Sequence, residues 1–125
     1  MCKTLIVEDS PFFRRMLKGL LGNRFPRMTI AEERDGSELF PKIDSFHPDI
    51  VFMDIRLPGE SGLELTKRIK MKYPEIVVVL LTNYDLPEYK QAATQSKVDY
   101  FITKDSPARN FLALVESIAV AKNAI

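Results

Sequence analysis

Four of the five short apolar runs in the sequence end in side chains that could take part in phosphoryl or metal chemistry. Glu8 and Asp9 follow the first run, Asp54 the third, Thr82 the fourth and Lys104 the fifth. An aspartate can act as a nucleophile, while carboxylates bind a cation and a hydroxyl and an ammonium stabilise charge on a phosphoryl group in transfer. This combination matches reversible formation of an aspartyl phosphate.

The carboxylates also predict a metal site. Three carboxylates that meet repel one another, so the cluster needs a cation unless one of them is protonated. With no His or Cys nearby, all-oxygen ligation favours Mg2+, with Mn2+ as the other candidate, over zinc. Mg2+ commonly takes one or two carboxylates and keeps several waters, which suits Asp9 and Asp54 as direct ligands. Glu8, one methylene longer than Asp, could contact the metal through water.

This chemistry needs elements that bring the residues together. Segments with apolar residues at helical spacing lie between and after the apolar runs and are predicted to form five helices, the last over about residues 107–122. Ser10 and Ser106, each followed by proline, are predicted to cap the first and last helices, and Gly22 to end the first. The apolar runs are predicted to be strands at residues 4–7, 28–31, 50–53, 76–81 and 98–103.

The order of these elements predicts the fold class. Strands that alternate with helices imply right-handed crossovers and a mostly parallel sheet covered on both faces. The predicted fold is α/β: a doubly wound five-stranded parallel sheet of order 2-1-3-4-5 flanked by five helices. In this order the carboxyl ends of strands one, three, four and five lie side by side. The polar residues at these ends are therefore expected to converge.

Each of these residues also has an ordinary interpretation when it is considered alone. A charged residue at a strand end is usually just solvated, Thr82 could cap the following loop, and Lys104 could pair with a surface carboxylate. Their joint placement favours a site, because four of the five strands end in groups that one site needs.

Composition limits the other functions. The 125 residues, 46% of them hydrophobic, fit one globular domain, predicted to span residues 1–125. Eighteen basic and seventeen acidic residues are scattered, so direct binding of nucleic acid is not supported. The short apolar runs and the single Cys2 predict a cytoplasmic protein that does not cross a membrane. A basic run on the third helix is predicted to be its solvated face: Lys67, Arg68, Lys70 and Lys72.

Four motifs carry a family resemblance. They are Leu-Ile-Val-Glu-Asp-Ser at 5–10, Val-Phe-Met-Asp-Ile-Arg-Leu-Pro-Gly-Glu-Ser-Gly at 51–62, Leu-Thr-Asn-Tyr-Asp at 81–85 and Tyr-Phe-Ile-Thr-Lys-Asp at 100–105. Together they resemble the response-regulator receiver family of two-component signalling, whose flavodoxin-like fold is that of the bacterial chemotaxis receiver. The resemblance runs from Leu5 to about Ile118. The longer stretch Leu-Thr-Asn-Tyr-Asp-Leu-Pro-Glu-Tyr at 81–89 and the Lys-Asp ending are similar to receivers attached to helix-turn-helix output domains.

The resemblance implies a role for each acidic residue of the predicted site and for Arg56. Asp54 would accept a phosphoryl group from a sensor histidine kinase or a phosphotransfer protein. Asp9 would ligate Mg2+ directly, Glu8 would assist it through water, and Arg56 would offer its backbone carbonyl as a further ligand. The resemblance implies a signalling domain rather than an enzyme, one that catalyses only its own phosphorylation and dephosphorylation.

The resemblance also implies a switch. Thr82 and Lys104 would contact the phosphoryl oxygens, and the rotamer of Phe101 would follow the movement of Thr82. Ordinary packing of an edge strand is the competing interpretation of Phe101. The fourth helix, fifth strand and fifth helix would then meet an output domain or a downstream protein, and a homodimer formed on phosphorylation is a further candidate partner.

Two other functions remain as alternatives. A phosphatase of the haloacid dehalogenase type also uses an aspartate nucleophile with Mg2+, but it needs a second aspartate two residues later, where this chain has Arg56. A receiver-like interaction module that works without phosphorylation is the second alternative. The full acidic set argues against it.

Overall fold

The computed structural model describes residues 2–83 and 87–122, in which strands and helices alternate along the chain. Each strand precedes a helix, which confirms the predicted α/β alternation. The strands are β1 (Lys3–Val7), β2 (Thr29–Glu33), β3 (Ile50–Asp54), β4 (Val77–Thr82) and β5 (Tyr100–Thr103). The helices are α1 (Pro11–Arg24), α2 (Leu39–Phe46), α3 (Gly62–Lys72), α4 (Pro87–Gln95) and α5 (Ala108–Ala121).

The strands form one parallel sheet in the order β2-β1-β3-β4-β5, as predicted. The register aligns the carboxyl ends of neighbouring strands, because Asp54 lies opposite Leu81 and Thr82 lies opposite Thr103. Every residue of β3 is buried, as expected for a central strand covered on both faces. The polar residues that follow β1, β3, β4 and β5 therefore share one edge of the sheet, which we call the carboxyl edge.

Alternate residues of the strands pack into two apolar layers. Ile6 and Phe52 point to the layer that α1 and α5 cover, and Leu5 and Val51 point to the layer that α2, α3 and α4 cover. Because side chains alternate between the faces of a strand, both faces must be apolar when helices cover both. Among the described helices, none combines the length and the apolar character that a membrane crossing needs.

Of the two predicted ends of α1, the first is confirmed and the second is wrong. The Ser10 hydroxyl accepts a hydrogen bond from the Phe13 N–H at 3.2 Å, which confirms the predicted cap. Gly22 was expected to end the helix, and this prediction is wrong, because α1 continues to Arg24. The buried Phe25 follows the helix and donates its N–H to the Leu21 carbonyl at 2.8 Å. Because the Phe25 ring packs in the core, the helix extends beyond Gly22.

Two further expectations about helices are corrected. Ser106 does not cap α5, because Pro107 occupies the capping position and the Ser106 hydroxyl lies 2.9 Å from the Thr103 hydroxyl. Lys70 does not belong to a solvated face, since its side chain is only 12% exposed and its ammonium reaches the loop before β4. The other three basic residues of α3 are exposed, as predicted.

The first residue of helix α3 lies against the backbone at the end of β3. This residue, Gly62, donates its N–H to the Ile55 carbonyl at 2.9 Å. A Cβ atom at this position would overlap the carbonyl oxygen of Asp54, so only glycine lets the helix approach the strand this closely. The absence of a side chain at Gly62 thus allows the close contact between α3 and the backbone of Asp54.

Candidate functional site

The carboxyl edge of the sheet opens into a polar cavity of about 230 Å³. The loops after β1 and β3 and the ends of β4 and β5 all contribute to its lining. All the site residues that the sequence predicts line it, with the exception of Phe101. The lining residues are Glu8, Asp9, Ser10, Asp54, Ile55, Arg56, Thr82, Asn83 and Lys104.

Asp54 is the last residue of β3 and is 6% exposed. Its Oδ1 accepts a weak hydrogen bond of 3.3 Å from the Arg56 N–H, and its Oδ2 lies 3.3 Å from the Lys104 ammonium. The carboxylate is therefore oriented from two sides while it still borders the cavity. A buried, oriented carboxylate beside a cation is suited to act as a nucleophile.

Lys104 directly follows β5, and its N–H donates to the Thr82 carbonyl at 2.7 Å. Its side chain is 12% exposed, and its ammonium lies 4.9 Å from the centre of the Phe13 ring. The ammonium is 2.9 Å from Glu8 Oε1 and 2.8 Å from Glu8 Oε2, closer than it is to Asp54. Glu8 therefore holds this lysine more tightly than the predicted nucleophile does.

Glu8 is almost fully buried, at 1% exposure. Its Oε1 accepts hydrogen bonds from Lys104 and from the Ser10 N–H at 3.1 Å. Its Oε2 lies beside the Lys104 ammonium but outside hydrogen-bonding geometry, so this oxygen has an ion pair without a hydrogen bond. Burial raises the pKa of Glu8, Lys104 lowers it in part, and the charge of Asp54 raises it further. No sequence pattern predicted this direct contact with Lys104, which the extra methylene of Glu makes reachable.

The side chains at this edge fit the ligand set that Mg2+ requires. Across residues 2–83 and 87–122, no group of three His, Cys, Asp or Glu side chains is gathered closely enough to bind a metal ion alone. Mg2+ does not need such a group, because it usually takes one or two carboxylates and retains water. Asp9, Asp54 and Arg56 border one cavity with room for several waters. The donors present are therefore compatible with Mg2+.

The two predicted switch residues lie in different environments. Thr82 ends β4, is 3% exposed and borders the cavity. Phe101 is half-buried and packs against the apolar layer that α2, α3 and α4 cover, together with Tyr89 of α4. Packing of Phe101 is thus observed, whereas its coupling to Thr82 stays a prediction. The Arg56 side chain also reaches α4, because it donates to the Tyr89 hydroxyl at 2.8 Å.

Helix α1 contributes more to this edge than the sequence indicated. Besides the Ser10 N–H and the Phe13 ring, the Arg14 guanidinium donates to the Glu8 carbonyl at 2.7 Å. The helical spacing of apolar residues in α1 assigned neither Phe13 nor Arg14 to the site. Their approach to the site depends on how the helix packs on the sheet, which spacing alone does not give.

Comparison with known proteins shows a consistent set of relatives. A family model described as response regulator receiver domain matches residues 4–116. The transcriptional regulatory protein LnrK of Bacillus subtilis is 33% identical over 118 residues, which are 94% of this chain and 54% of that protein. The oxygen regulatory protein NreC of Staphylococcus haemolyticus is 30% identical over 117 residues, 93% of this chain and 54% of that protein. The chain spans about half the length of these curated relatives.

Solved structures show the same fold. The beryllofluoride-activated N-terminal receiver domain of RstA from Klebsiella pneumoniae superimposes with a TM-score of 0.85 at 27% identity, covering 91% of this chain and 95% of that one. The chemotaxis protein CheY4 of Vibrio cholerae gives a TM-score of 0.85 at 24% identity, covering 94% and 98%. At that identity the second likeness supports the fold alone.

Proposed function

Because the chain belongs to the response regulator receiver family, we propose that it accepts a phosphoryl group on Asp54 from a sensor histidine kinase or a phosphotransfer protein. The observation that carries this proposal is the placement of the Asp54 carboxylate. It is buried at the end of β3 and borders one polar cavity with Asp9, Thr82 and Lys104. The chain is a signalling domain of a two-component system, and we propose that its catalysis is limited to its own phosphorylation and dephosphorylation.

In the proposed reaction, an oxygen of the Asp54 carboxylate attacks the phosphorus of a phosphohistidine. A P–O bond to Asp54 forms as the P–N bond to the donor breaks, and the bonding pair leaves with the imidazole nitrogen. The Lys104 ammonium and the Thr82 hydroxyl would donate to the phosphoryl oxygens. The 3.3 Å separation of Lys104 from Asp54 supports this role, because the cation already lies where the new negative charge would develop.

Receiver domains generally use Mg2+ for phosphorylation. In this chain Asp9, Asp54 and the Arg56 backbone carbonyl would hold Mg2+, or Mn2+ in its place, and Glu8 would contact it through water. When bound, the ion would neutralise charge on the phosphoryl oxygens. Since Glu8 is engaged by Lys104, its water-mediated contact requires that carboxylate to serve two cations at once.

Phosphorylation would then change the output face. To reach the new anion, Lys104 would exchange Glu8 contacts for phosphoryl oxygens, and Thr82 would turn toward the cavity. Phe101 would follow, and α4, β5 and α5 would repack and meet a partner. This partner would be an output domain or a downstream protein, or a second copy of the chain in a homodimer.

The relatives suggest the setting in which this switch works. LnrK and NreC are named as regulatory proteins, and a similar solved chain is a DNA-binding response regulator of the LuxR family from Staphylococcus aureus. We therefore propose residues 1–125 as one cytoplasmic receiver domain that acts with a helix-turn-helix output domain. In this proposal the receiver itself does not touch DNA, in agreement with its net charge of +1.

The test is incubation with acetyl phosphate or a phosphoramidate, with and without Mg2+, followed by intact-mass analysis. Wild type should gain one phosphoryl group only when Mg2+ is present, and Asp54→Ala should gain none. Asp105→Ala is the matched control, because Asp105 is an exposed aspartate next to Lys104 and should leave the adduct unchanged. A wild type that gains no adduct and also fails to bind beryllofluoride would favour the phosphorylation-independent module.

A further inference from the structure

Arg14 connects the end of β1 to the end of β2. Its side chain is 21% exposed. Its Nη1 donates to the Glu8 carbonyl at 2.7 Å, and its Nε donates to Glu32 Oε1 at 3.1 Å. A guanidinium is planar and carries its donors in a fixed fork, so these two contacts fix the position of the Glu8 carbonyl relative to Glu32.

Glu32 is well suited as the anchor of this connection. It belongs to β2, and its second oxygen contacts the Lys18 ammonium at 3.1 Å. Arg14 and Lys18 lie one helical turn apart on α1, so both cations meet one carboxylate. Partial burial raises the pKa of Glu32, but Lys18 and Arg14 together lower it below its usual value. The anchor therefore stays charged at neutral pH.

The Glu8 carbonyl lies between the end of β1 and Asp9, the proposed metal ligand. Glu8 still joins the sheet through its N–H, which donates to the Glu33 carbonyl at 3.0 Å. Its carbonyl belongs to the next peptide, which leads directly into Asp9. Asp9 borders the cavity, so the orientation of this peptide helps to set the direction in which the Asp9 side chain leaves the backbone.

We propose that Arg14 is a positioning residue for Mg2+ binding, because it fixes the peptide between Glu8 and Asp9 while Glu32 holds its guanidinium in place. This inference rests on the proposed function, in which Asp9 is a direct ligand of Mg2+. Arg14 touches neither the metal nor the phosphoryl group in this role. It acts through the backbone of a residue that does.

The experiment measures Mg2+ binding to the unphosphorylated domain by titration calorimetry. Arg14→Ala removes both contacts, and Arg14→Lys keeps the charge but cannot reproduce the planar fork. Removing a group that orients a metal ligand commonly weakens metal affinity by about 10-fold or more, so we expect both variants to bind Mg2+ about 10-fold more weakly than wild type. The rate of phosphorylation by acetyl phosphate at limiting Mg2+ should fall in parallel and recover at saturating Mg2+.

Two control variants separate positioning from charge and from folding. Lys18→Ala removes the other cation from Glu32 without touching Glu8, and Arg15→Ala removes an exposed arginine from the same helix. Both should keep the wild-type Mg2+ affinity within about 2-fold, since Lys18 contacts the Glu32 oxygen that Arg14 does not use and Arg15 is exposed. Thermal melts confirm that each variant is folded, and Arg14→Lys remains informative if Arg14→Ala does not fold.

The outcomes distinguish this inference from the proposed function. If wild type binds Mg2+ and Arg14→Ala and Arg14→Lys bind it equally well, Arg14 is not a positioning residue although the proposed function stands. Equal weakening by Lys18→Ala would also overturn the inference, because the effect would then be one of general charge. A wild type that binds no Mg2+ would remove the proposed function and this inference together.

Discussion

Two lysines at opposite edges of the sheet are buried to the same extent, with 12% of each side chain exposed, yet their surroundings differ. Lys70 lies at the end of α3, near the start of β4. Its ammonium donates to the carbonyls of Pro74 and Ile76 and to Asp99 Oδ2, at 3.1, 2.6 and 2.8 Å. An ammonium has three donors, so Lys70 has used all of them.

Lys104, at the carboxyl edge, has different partners. It faces two carboxylates, those of Glu8 and Asp54, and one oxygen of Glu8 has no hydrogen bond. Two carboxylates thus face one ammonium, and Lys104 borders a cavity. The comparison teaches that burial alone does not separate a candidate site lysine from a structural one. What distinguishes Lys104 is an unbalanced, partly unsatisfied set of partners that a new anion or cation could complete.

The largest expected effect comes from removing the ammonium at the carboxyl edge. Lys104→Met keeps the aliphatic stem but removes the ammonium that we propose contacts the attacked phosphoryl group. Loss of one donor to transition-state charge typically slows a reaction by about 100- to 1,000-fold, and we expect a fall in this range. The measurement is the rate of Mg2+-dependent adduct formation from acetyl phosphate. A wild-type rate in Lys104→Met would show that the two lysines do not differ in function.

The matching change at the opposite edge should affect stability instead. Lys70→Met leaves two backbone carbonyls and Asp99 without their shared donor. Since Asp99 is partly exposed, water compensates in part, and we expect a loss of about 2 kcal/mol in the free energy of unfolding. Denaturant unfolding measures this loss, and the phosphorylation rate of the folded variant should equal that of wild type. Slower phosphorylation in folded Lys70→Met would break the comparison.

The same two lysines show what the sequence could predict. Lys104 directly follows an apolar run, and strand order places such residues at one edge, so its place in the site could be predicted. Lys70 lies within a basic run of α3 that has the spacing of a solvated face. Its ammonium turns back to the carbonyls before β4, and no local pattern encodes this contact because it depends on how α3 packs on the sheet.

The errors at the helix ends have a similar physical cause. The capping rule identified Ser10 correctly, since the hydroxyl needs only its own helix. It failed for Ser106, whose hydroxyl contacts Thr103, and for Gly22, where packing of the Phe25 ring extends α1. Local rules therefore predicted the elements and the cluster of site residues. Contacts between elements, such as Glu8 with Lys104 and Arg14 with Glu8, required the structure.

The smallest expected effect concerns backbone strain at the edge that Lys70 stabilises. In the described part of the chain, the non-glycine residues with positive φ are His47, at 54°, and Lys97, at 62°, and both precede strands at this edge. A side chain disfavours this left-handed conformation, whereas glycine adopts it freely. Lys97→Gly should therefore raise the free energy of unfolding by roughly 0.5 to 1 kcal/mol, after allowance for the more flexible unfolded chain. Lys97→Ala, which retains a Cβ atom, should give no such gain in denaturant unfolding, and an equal gain would trace the effect to the lysine charge. Neither variant should change the phosphorylation rate, because the chemistry that we propose lies at the carboxyl edge, away from Lys97.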